Sequence, residues 1–187
     1  MTFDNHIKTT VLECIACLAQ ISRVKHRLDR MSLLTVINSL AFSKLYDCSN
    51  VWANTTEKNI RKLQAVQNFT CQIISGARQY DHVTPHLKSL SWLPVKDQLY
   101  YCQGIMGFKC ISGHAPKYLM SQFITREQVT KCTTRSGQKL NIPLFKTASG
   151  QRTFYYRTIG LWNNLDPLLK SSCSVQVFKR ILKNKLC

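Results

Sequence analysis

Apolar residues recur at steps of three and four along most of this chain, and this spacing restricts its fold more than any other feature. Val11, Ile15, Leu18 and Ile21 follow it between residues 9 and 28. Residues spaced in this way share one face of an α-helix, because a helix turns once in 3.6 residues. The same pattern predicts further helices over residues 31–46, between Asn54 and Gly76, over 94–112, and after Ser174.

Residues typical of helix ends mark several of these boundaries. Asn54 with Glu57 three residues later is typical of a capping box, and Gly76 suits the position just after a helix. Pro94 follows Trp92 and is favoured in the first turn of a helix. Gly104 and Gly107 weaken the same helix by roughly 1 kcal/mol each relative to Ala. They either let another helix approach closely or have no packing role.

A small β-hairpin is predicted between the helical part and the last helix. Leu140, Ile142 and Leu144 alternate with other residues, and Pro143 would restrict such a strand to a sheet edge. A second strand over 152–156 could pair back, although residues 154–162 also permit a helix. The predicted fold class is therefore mainly α: a helical bundle, which the resemblance described below implies is thumb-like, a small β-hairpin and a C-terminal helix.

Composition predicts a division of the chain at a polar, basic segment. Residues 125–139 read TREQVTKCTTRSGQK and contain almost no large apolar side chain. Such a segment is typical of a linker or loop. We expect a helical domain over residues 1–124, a linker over 125–139, and a small basic α+β extension over 140–187.

The chain is strongly basic, with 26 Lys and Arg against 9 Asp and Glu and a formal net charge of +17. After residue 108 there are 14 basic and only 2 acidic residues. This charge favours polyanions, either nucleic acid or an anionic membrane surface. A basic protein without such a partner is the alternative.

Targeting signals are not expected. The polar N-terminus MTFDNHIKTT is unlike a signal peptide, and no apolar run has the length of a membrane span. We therefore expect a nuclear or cytoplasmic protein that is neither secreted nor membrane-bound. Its 9 cysteines are then expected to be reduced.

No complete catalytic or metal site is expected within the chain. Two-metal sites need clustered carboxylates, whereas the acidic residues here stand singly. Cys14 and Cys17 have no second pair at zinc-ligand spacing, so a place in the core is favoured for them. His82 and His86 could act as acid and base, but a polar loop before a helix is favoured. We expect no catalytic residue, no metal ligand, no cofactor and no small-molecule substrate.

Five segments in a fixed order resemble the C-terminal region of reverse transcriptases from non-LTR retrotransposons of the jockey-like type. They are KLQAVQNFTCQIISG, DHVTPHLKSLSWLPV, FKCISGHAPKYL, FYYRTIGLWNNLDP and VFKRILKNKL. The signature positions are Gln64, Gln67, Asn68, Trp92, Leu93, Pro94, Pro116, Trp162 and Asn163. Asp166 before Pro167, and glycine at 104 and 107, depart from the family pattern.

The resemblance implies part of an RNA-directed DNA polymerase, its thumb and post-thumb region. In that family the palm comes first and carries the paired aspartates that bind magnesium. This chain begins after that motif, so magnesium would belong to the missing palm. We therefore expect the chain to be inactive by itself, with the other polymerase domains as possible partners.

The expected function is to hold the backbone of template RNA or an RNA/DNA hybrid. Arg and Lys neutralise phosphates, and exposed aromatic rings among Phe154, Tyr155 and Tyr156 could stack on bases. The candidate phosphate contacts are Lys58, Arg61, Lys62, Lys139, Lys146, Arg152, Arg157, Lys179, Arg180 and Lys183. The alternative is a non-enzymatic transposon remnant or a coopted protein-interaction module.

Overall fold

The computed structural model describes residues 3–78, 81–131 and 135–186, and within them the protein is mainly helical. The helices are α1 (Asp4–Val24), α2 (Arg30–Ile37), α3 (Ser43–Leu45), α4 (Ser49–Trp52), α5 (Glu57–Ser75), α6 (Thr84–Ser89), α7 (Val95–Ile111), α8 (Lys117–Met120), α9 (Arg126–Thr130), α10 (Ala148–Gln151), α11 (Phe154–Asn163), α12 (Pro167–Lys170) and α13 (Val175–Leu186). A 3-10 turn, Lys25–Arg27, extends α1, and a π-helical turn, Asn38–Phe42, joins α2 to α3.

The chain forms two compact units. Unit 1 comprises the residues up to Leu99, and unit 2 is Tyr100–Leu186. The division falls inside α7, a helix that the apolar pattern predicts over almost the same residues. The domain boundaries expected at residues 124 and 139 depend on composition alone and stay predictions.

The core of unit 1 is built mainly from α1 and α5. Leu18 and Cys14 of α1 are fully buried with Leu63 and Val66 of α5. Trp52 is buried beside them, and its indole Nε1 donates to the carbonyl of Asp47 at 2.8 Å. Burial of these side chains supplies most of the free energy that holds such a unit together.

The N-terminus of α5 differs from the prediction. The N-cap is Thr56, in extended conformation, so the prediction of Asn54 as the cap was wrong by two residues. The buried Asn59 side chain donates to Thr55 and Asp4, which holds the chain just before α5. The C-terminal end of α5 was predicted correctly. Gly76 has a φ of 69° and donates its N–H to Gln72, a left-handed conformation that favours glycine.

The core of unit 2 is an aromatic and aliphatic cluster. Phe108 of α7 stacks on Phe178 of α13 with ring centroids 4.5 Å apart, and Trp162 of α11 packs against both rings. Ile159 and Leu182 are buried in the same cluster. The last helix begins as predicted after Ser174, whose hydroxyl accepts from the N–H of Val177 at 3.3 Å.

The predicted β-hairpin is wrong. Residues 141–145 form no strand, and residues 154–156 belong to α11. Thr153 explains the second part, because its side chain accepts from the N–H of Tyr156 and caps the helix. Among the described residues the only β-type pairing is a single antiparallel bridge between Thr125 and Leu140.

The polar segment 125–139 contains a short helix, α9. Thr125 and Gln128 form a capping box, in which each side chain bonds to the other's backbone. The N–H of Arg126 also donates to the carbonyl of Lys139 at 2.9 Å. Local hydrogen bonds thus order the described parts of a segment that contributes few apolar contacts.

Candidate nucleic-acid interface

Three of the predicted phosphate contacts lie together on α5 in unit 1. Lys58 and Arg61 are exposed, and Lys62 is half-buried. Residues three and four apart are neighbours on a helix surface, so the three cations form one ridge. The only acidic residue in the first turn is Glu57, which pairs with Lys96 at 2.9 Å. We call Lys58, Arg61 and Lys62 the α5 ridge.

A second group lies on α13 in unit 2. Arg180 is exposed, while Lys179 and Lys183 are half-buried on the flanks of the helix. Phe178 and Leu182 occupy its buried side. The sequence contains no acidic residue in this helix. α13 is therefore an amphipathic helix whose polar side carries basic residues and no acidic one, although its Lys185 pairs with Asp166 outside the helix.

The remaining predicted contacts differ in their surroundings. Lys139, Lys146 and Arg152 are exposed. Arg157 is half-buried: its Nη1 donates to Oε1 of Gln103 at 3.1 Å, and its Nε donates to the carbonyl of Arg152 at 3.2 Å. Burial lowers the pKa of its guanidinium. This geometry favours a role for Arg157 in packing α11 against α7.

Lys170 is a basic residue that the sequence did not single out. Its Nζ donates to the carbonyl of Asn163, the last residue of α11, at 3.2 Å. A cation is favoured at this end of a helix by the helix dipole. Burial lowers the pKa of Lys170, and the charge of Lys139 lowers it further, while Asp166 opposes the shift. Asn163 also bonds to Leu140, the neighbour of Lys139, so the fold brings Lys139 and Lys170 to the same place.

The aromatic residues of α11 pack within unit 2. Phe154, Tyr155 and Tyr156 are all half-buried. Tyr155 lies edge-on to Phe123 with centroids 5.3 Å apart, and Tyr156 lies 5.9 Å from Phe145. Their rings therefore serve packing within unit 2.

The glutamine signature on α5 binds the backbone of the Trp-Leu-Pro-Val segment. Nε2 of Gln67 donates to the carbonyl of Leu93 at 2.8 Å, and Oε1 of Gln64 accepts from the N–H of Val95 at 2.9 Å. Gln64 also donates to Gln67 and to Asn68 at 2.9 Å each. These bonds satisfy backbone groups at the start of α7 that have no partner within the helix. They hold the beginning of α7 against α5.

In unit 2 the side-chain amide of Asn163 likewise binds backbone groups. Its Oδ1 accepts from the N–H of Leu140 at 2.9 Å, and its Nδ2 donates to the carbonyl of Leu140 at 3.0 Å. One amide thus makes both bonds that a neighbouring strand would make. It replaces the predicted strand partner and explains why a hairpin is not needed to bury Leu140.

The other signature residues are structural as well. Trp92 is half-buried and lies 4.6 Å from Phe42 between ring centroids, and Leu93 is buried. Pro94 and Pro116 are exposed; the carbonyls of both accept the first N–H bonds of the helices that follow. Trp162 is in the core of unit 2. None of these side chains presents a nucleophile or an acid–base pair.

Metal ligands are not clustered in the described parts of the chain, where no group of three His, Cys, Asp or Glu residues could hold an ion. Among those residues no helix is both long and apolar enough to cross a bilayer. Cys14 and Cys71 are buried free thiols whose pKa burial raises to about 11. For Cys14, Cys17 and Glu13 raise it further, while Lys44 opposes the shift. Such thiols are poor nucleophiles.

Comparison with known proteins returned no matching family model, no matching curated protein and no matching solved structure.

Proposed function

We propose that this protein is a non-catalytic nucleic-acid-binding module that holds the phosphate backbone of RNA or an RNA/DNA hybrid. The observation that carries the proposal is the pair of helical faces on which basic residues cluster, the α5 ridge and the polar side of α13. A net charge of +17 attracts polyanions over a distance of about 10 Å at ordinary salt. Contacts of this kind position a nucleic acid without reading its sequence.

The five ordered motifs support a more specific origin. We propose that the chain corresponds to the thumb and post-thumb part of a non-LTR retrotransposon reverse transcriptase. The bonds from Gln64 and Gln67 to the Leu93 and Val95 backbone give the first two motifs a shared purpose, namely fixing the start of α7. A thumb-like part acts by positioning, which agrees with the structural character of the signature residues.

The test is binding of the full chain to a fluorescently labelled RNA/DNA hybrid, measured by anisotropy over a range of salt concentrations. Binding is expected to weaken steeply, with log K falling by about 0.9 for each phosphate neutralised. Lys58→Gln with Arg61→Gln should lower the affinity several-fold and reduce the slope by about 2.

The matched control is Lys8→Gln with Arg30→Gln, which removes the same charge from two exposed residues outside the α5 ridge. It should lower the affinity only slightly. The proposal is overturned by no binding at about 50–100 mM salt, or by equal losses in the two double variants.

A second candidate function is a protein-interaction module, and exposed apolar residues favour it. Leu12 and Ile15 on α1 are 59% and 43% exposed, and Leu144 in unit 2 is 99% exposed. In the same titration, a chain that folds but does not bind the hybrid at low salt would support this candidate.

A further inference from the structure

Unit 1 contains an open pocket of about 410 Å³. This volume is within the range of about 300–1,000 Å³ that small-molecule sites occupy. The pocket lies beside the C-terminal ends of α1 and α5, and none of the proposed phosphate contacts lines it. The residues that line it are Ser22, Lys25, Phe69, Gln72, Ile73 and Ala77.

Two polar side chains of the pocket make long hydrogen bonds. Nζ of Lys25 donates to the carbonyl of Ile73 at 3.5 Å, and Nε2 of Gln72 donates to the carbonyl of Arg78 at 3.5 Å. Both distances exceed the usual 2.7–3.2 Å of N–H···O bonds, so these bonds are weak. The ammonium of Lys25 can therefore turn toward a ligand at little loss.

The charge around the pocket is positive. No acidic residue is among the lining side chains. Arg23, His26 and Arg27 are exposed beside Ser22 and Lys25 in the chain, and Arg78 is exposed beside Ala77. The carboxylates nearest in sequence are Asp29, which accepts from the N–H groups of Met31 and Ser32, and Asp81, which accepts from the N–H of Arg78 at 2.7 Å. An anionic group is thus favoured at the Lys25 side of the pocket.

We propose that this pocket binds one unpaired nucleotide of a bound strand, with its phosphate at Lys25 and its base against Phe69 and Gln72. The inference rests on the proposed function, because it names the part of the nucleic acid that this second site would take. The α5 ridge would hold backbone phosphates, while the pocket would hold a single base turned out of the helix.

The chemistry of the lining matches a nucleotide better than a simple anion. Proteins recognise unpaired bases with an aromatic side chain and with amide groups that pair with the base edge. Gln72 can both donate and accept, as a base edge requires, and Phe69 supplies the aromatic wall. Lys25 supplies the cation for the phosphate, and Ser22 adds a hydroxyl beside it.

The test is a titration of the ¹⁵N-labelled full chain with a nucleoside 5′-monophosphate, followed by amide chemical shifts. Shifts are expected at Ser22, Phe69, Gln72 and Ala77 in the wild-type chain. Ala77→Leu fills the pocket without removing a polar group and should abolish these shifts. Lys25→Met should weaken binding about tenfold or more, since it removes the phosphate contact.

Two further arms identify what is bound. Inorganic phosphate alone and the nucleoside alone should each bind at least tenfold more weakly than the nucleotide. Lys8→Met, at an exposed residue that neither lines the pocket nor belongs to the α5 ridge, is the matched control and should leave the nucleotide affinity unchanged. An absence of shifts at the pocket, shifts that persist in Ala77→Leu, or equal binding of inorganic phosphate would overturn the inference.

Failure here is separate from failure of the proposed function. A chain that binds the hybrid through Lys58 and Arg61 but gives no shifts at the pocket retains the proposed function and loses this inference. A chain that binds the nucleotide in the pocket but not the hybrid retains the pocket as a nucleotide site and loses the backbone-binding role.

Discussion

At the scale of single residues, three side-chain amides carry much of the architecture. Gln64 and Gln67 bind the backbone at the start of α7, and Asn163 binds both polar groups of Leu140. The sequence marks all three as signature positions but gives no sign of their partners. The partners are 23 to 31 residues away, so only the fold brings them together.

Asn163→Leu should destabilise unit 2 by about 1–3 kcal/mol, because it leaves the N–H and carbonyl of Leu140 without their amide partner. Hydrogen exchange at the Leu140 amide should accelerate accordingly. Asn164→Leu, at the exposed next position, is the control and should change stability by less than about 0.5 kcal/mol. Equal unfolding temperatures for the two variants would contradict this role of Asn163.

At the scale of elements, glycine decides how closely α7 packs in unit 2. A Cβ at Gly107 would lie 2.6 Å from Cγ2 of Thr158 on α11, and a Cβ at Gly104 would lie 2.8 Å from Cδ2 of Leu182 on α13. The close-approach interpretation of these glycines therefore agrees with the geometry. Thr158 is fully buried and its hydroxyl accepts from Gln103 at 3.4 Å, so it has little room to move.

Gly107→Ala is expected to destabilise unit 2 by about 1–3 kcal/mol through overpacking against Thr158. Gly160→Ala is the matched control, because a Cβ there meets nothing within 4 Å. That variant should stabilise α11 by about 0.5–1 kcal/mol through higher helix propensity. Thermal unfolding of the two variants measures both effects, and a neutral Gly107→Ala would show that α7 can shift.

At the scale of the whole molecule, buried thiol and phenol groups in both units make the free energy of unfolding depend on pH in the alkaline range. Cys14 and Cys71 have a pKa of about 11 against an ordinary 9.0, chiefly because of burial. Burial also raises the pKa of further side chains in unit 2, namely Tyr100, Tyr101, Cys110 and Tyr155. Each of these groups keeps its proton more firmly in the folded state than in the unfolded one.

These groups should therefore leave stability unchanged below about pH 8 and lower it most between pH 9 and 11, where the unfolded chain loses protons that the folded chain retains. Each buried thiol contributes a slope of up to about 1.4 kcal/mol per pH unit. Urea unfolding at several pH values measures how the free energy of unfolding falls with pH. In Cys71→Ala this free energy should fall less steeply. A stability that rises over this range would contradict the burial of these groups.

Much of the secondary structure was predictable from local pattern. Periodic apolar residues predicted α1, α5, α7 and α13, because each helix buries one face and 3.6 residues per turn sets the spacing. Gly76 and Ser174 were predicted at their caps for reasons of backbone conformation and hydrogen bonding. The N-cap of α5 was not: Thr56 replaces the predicted Asn54, and the buried side chain of Asn59 holds the chain just before the helix through Thr55 and Asp4, which no local pattern indicates.

The candidate site was predictable only in part. The exposed positions of Lys58, Arg61 and Arg180 follow from their place opposite the apolar stripes. The inward position of Arg157, the nearness of Lys139 to Lys170, and the pocket beside Phe69 do not follow from any local pattern. Each of them joins residues that are far apart in the chain.

The amino-acid sequence by itself determined the helical class, the positive charge and the signature positions, because these depend on spacing and residue type. Tertiary structure decided the rest. Alternating Leu140, Ile142 and Leu144 predicted a strand, but Asn163 pairs with Leu140 and Thr153 starts a helix where the second strand was expected. The physical reason is that a buried backbone N–H or carbonyl needs a hydrogen-bond partner, but the local sequence does not specify which partner it takes. Only the folded chain brings the Asn163 side chain within reach of Leu140.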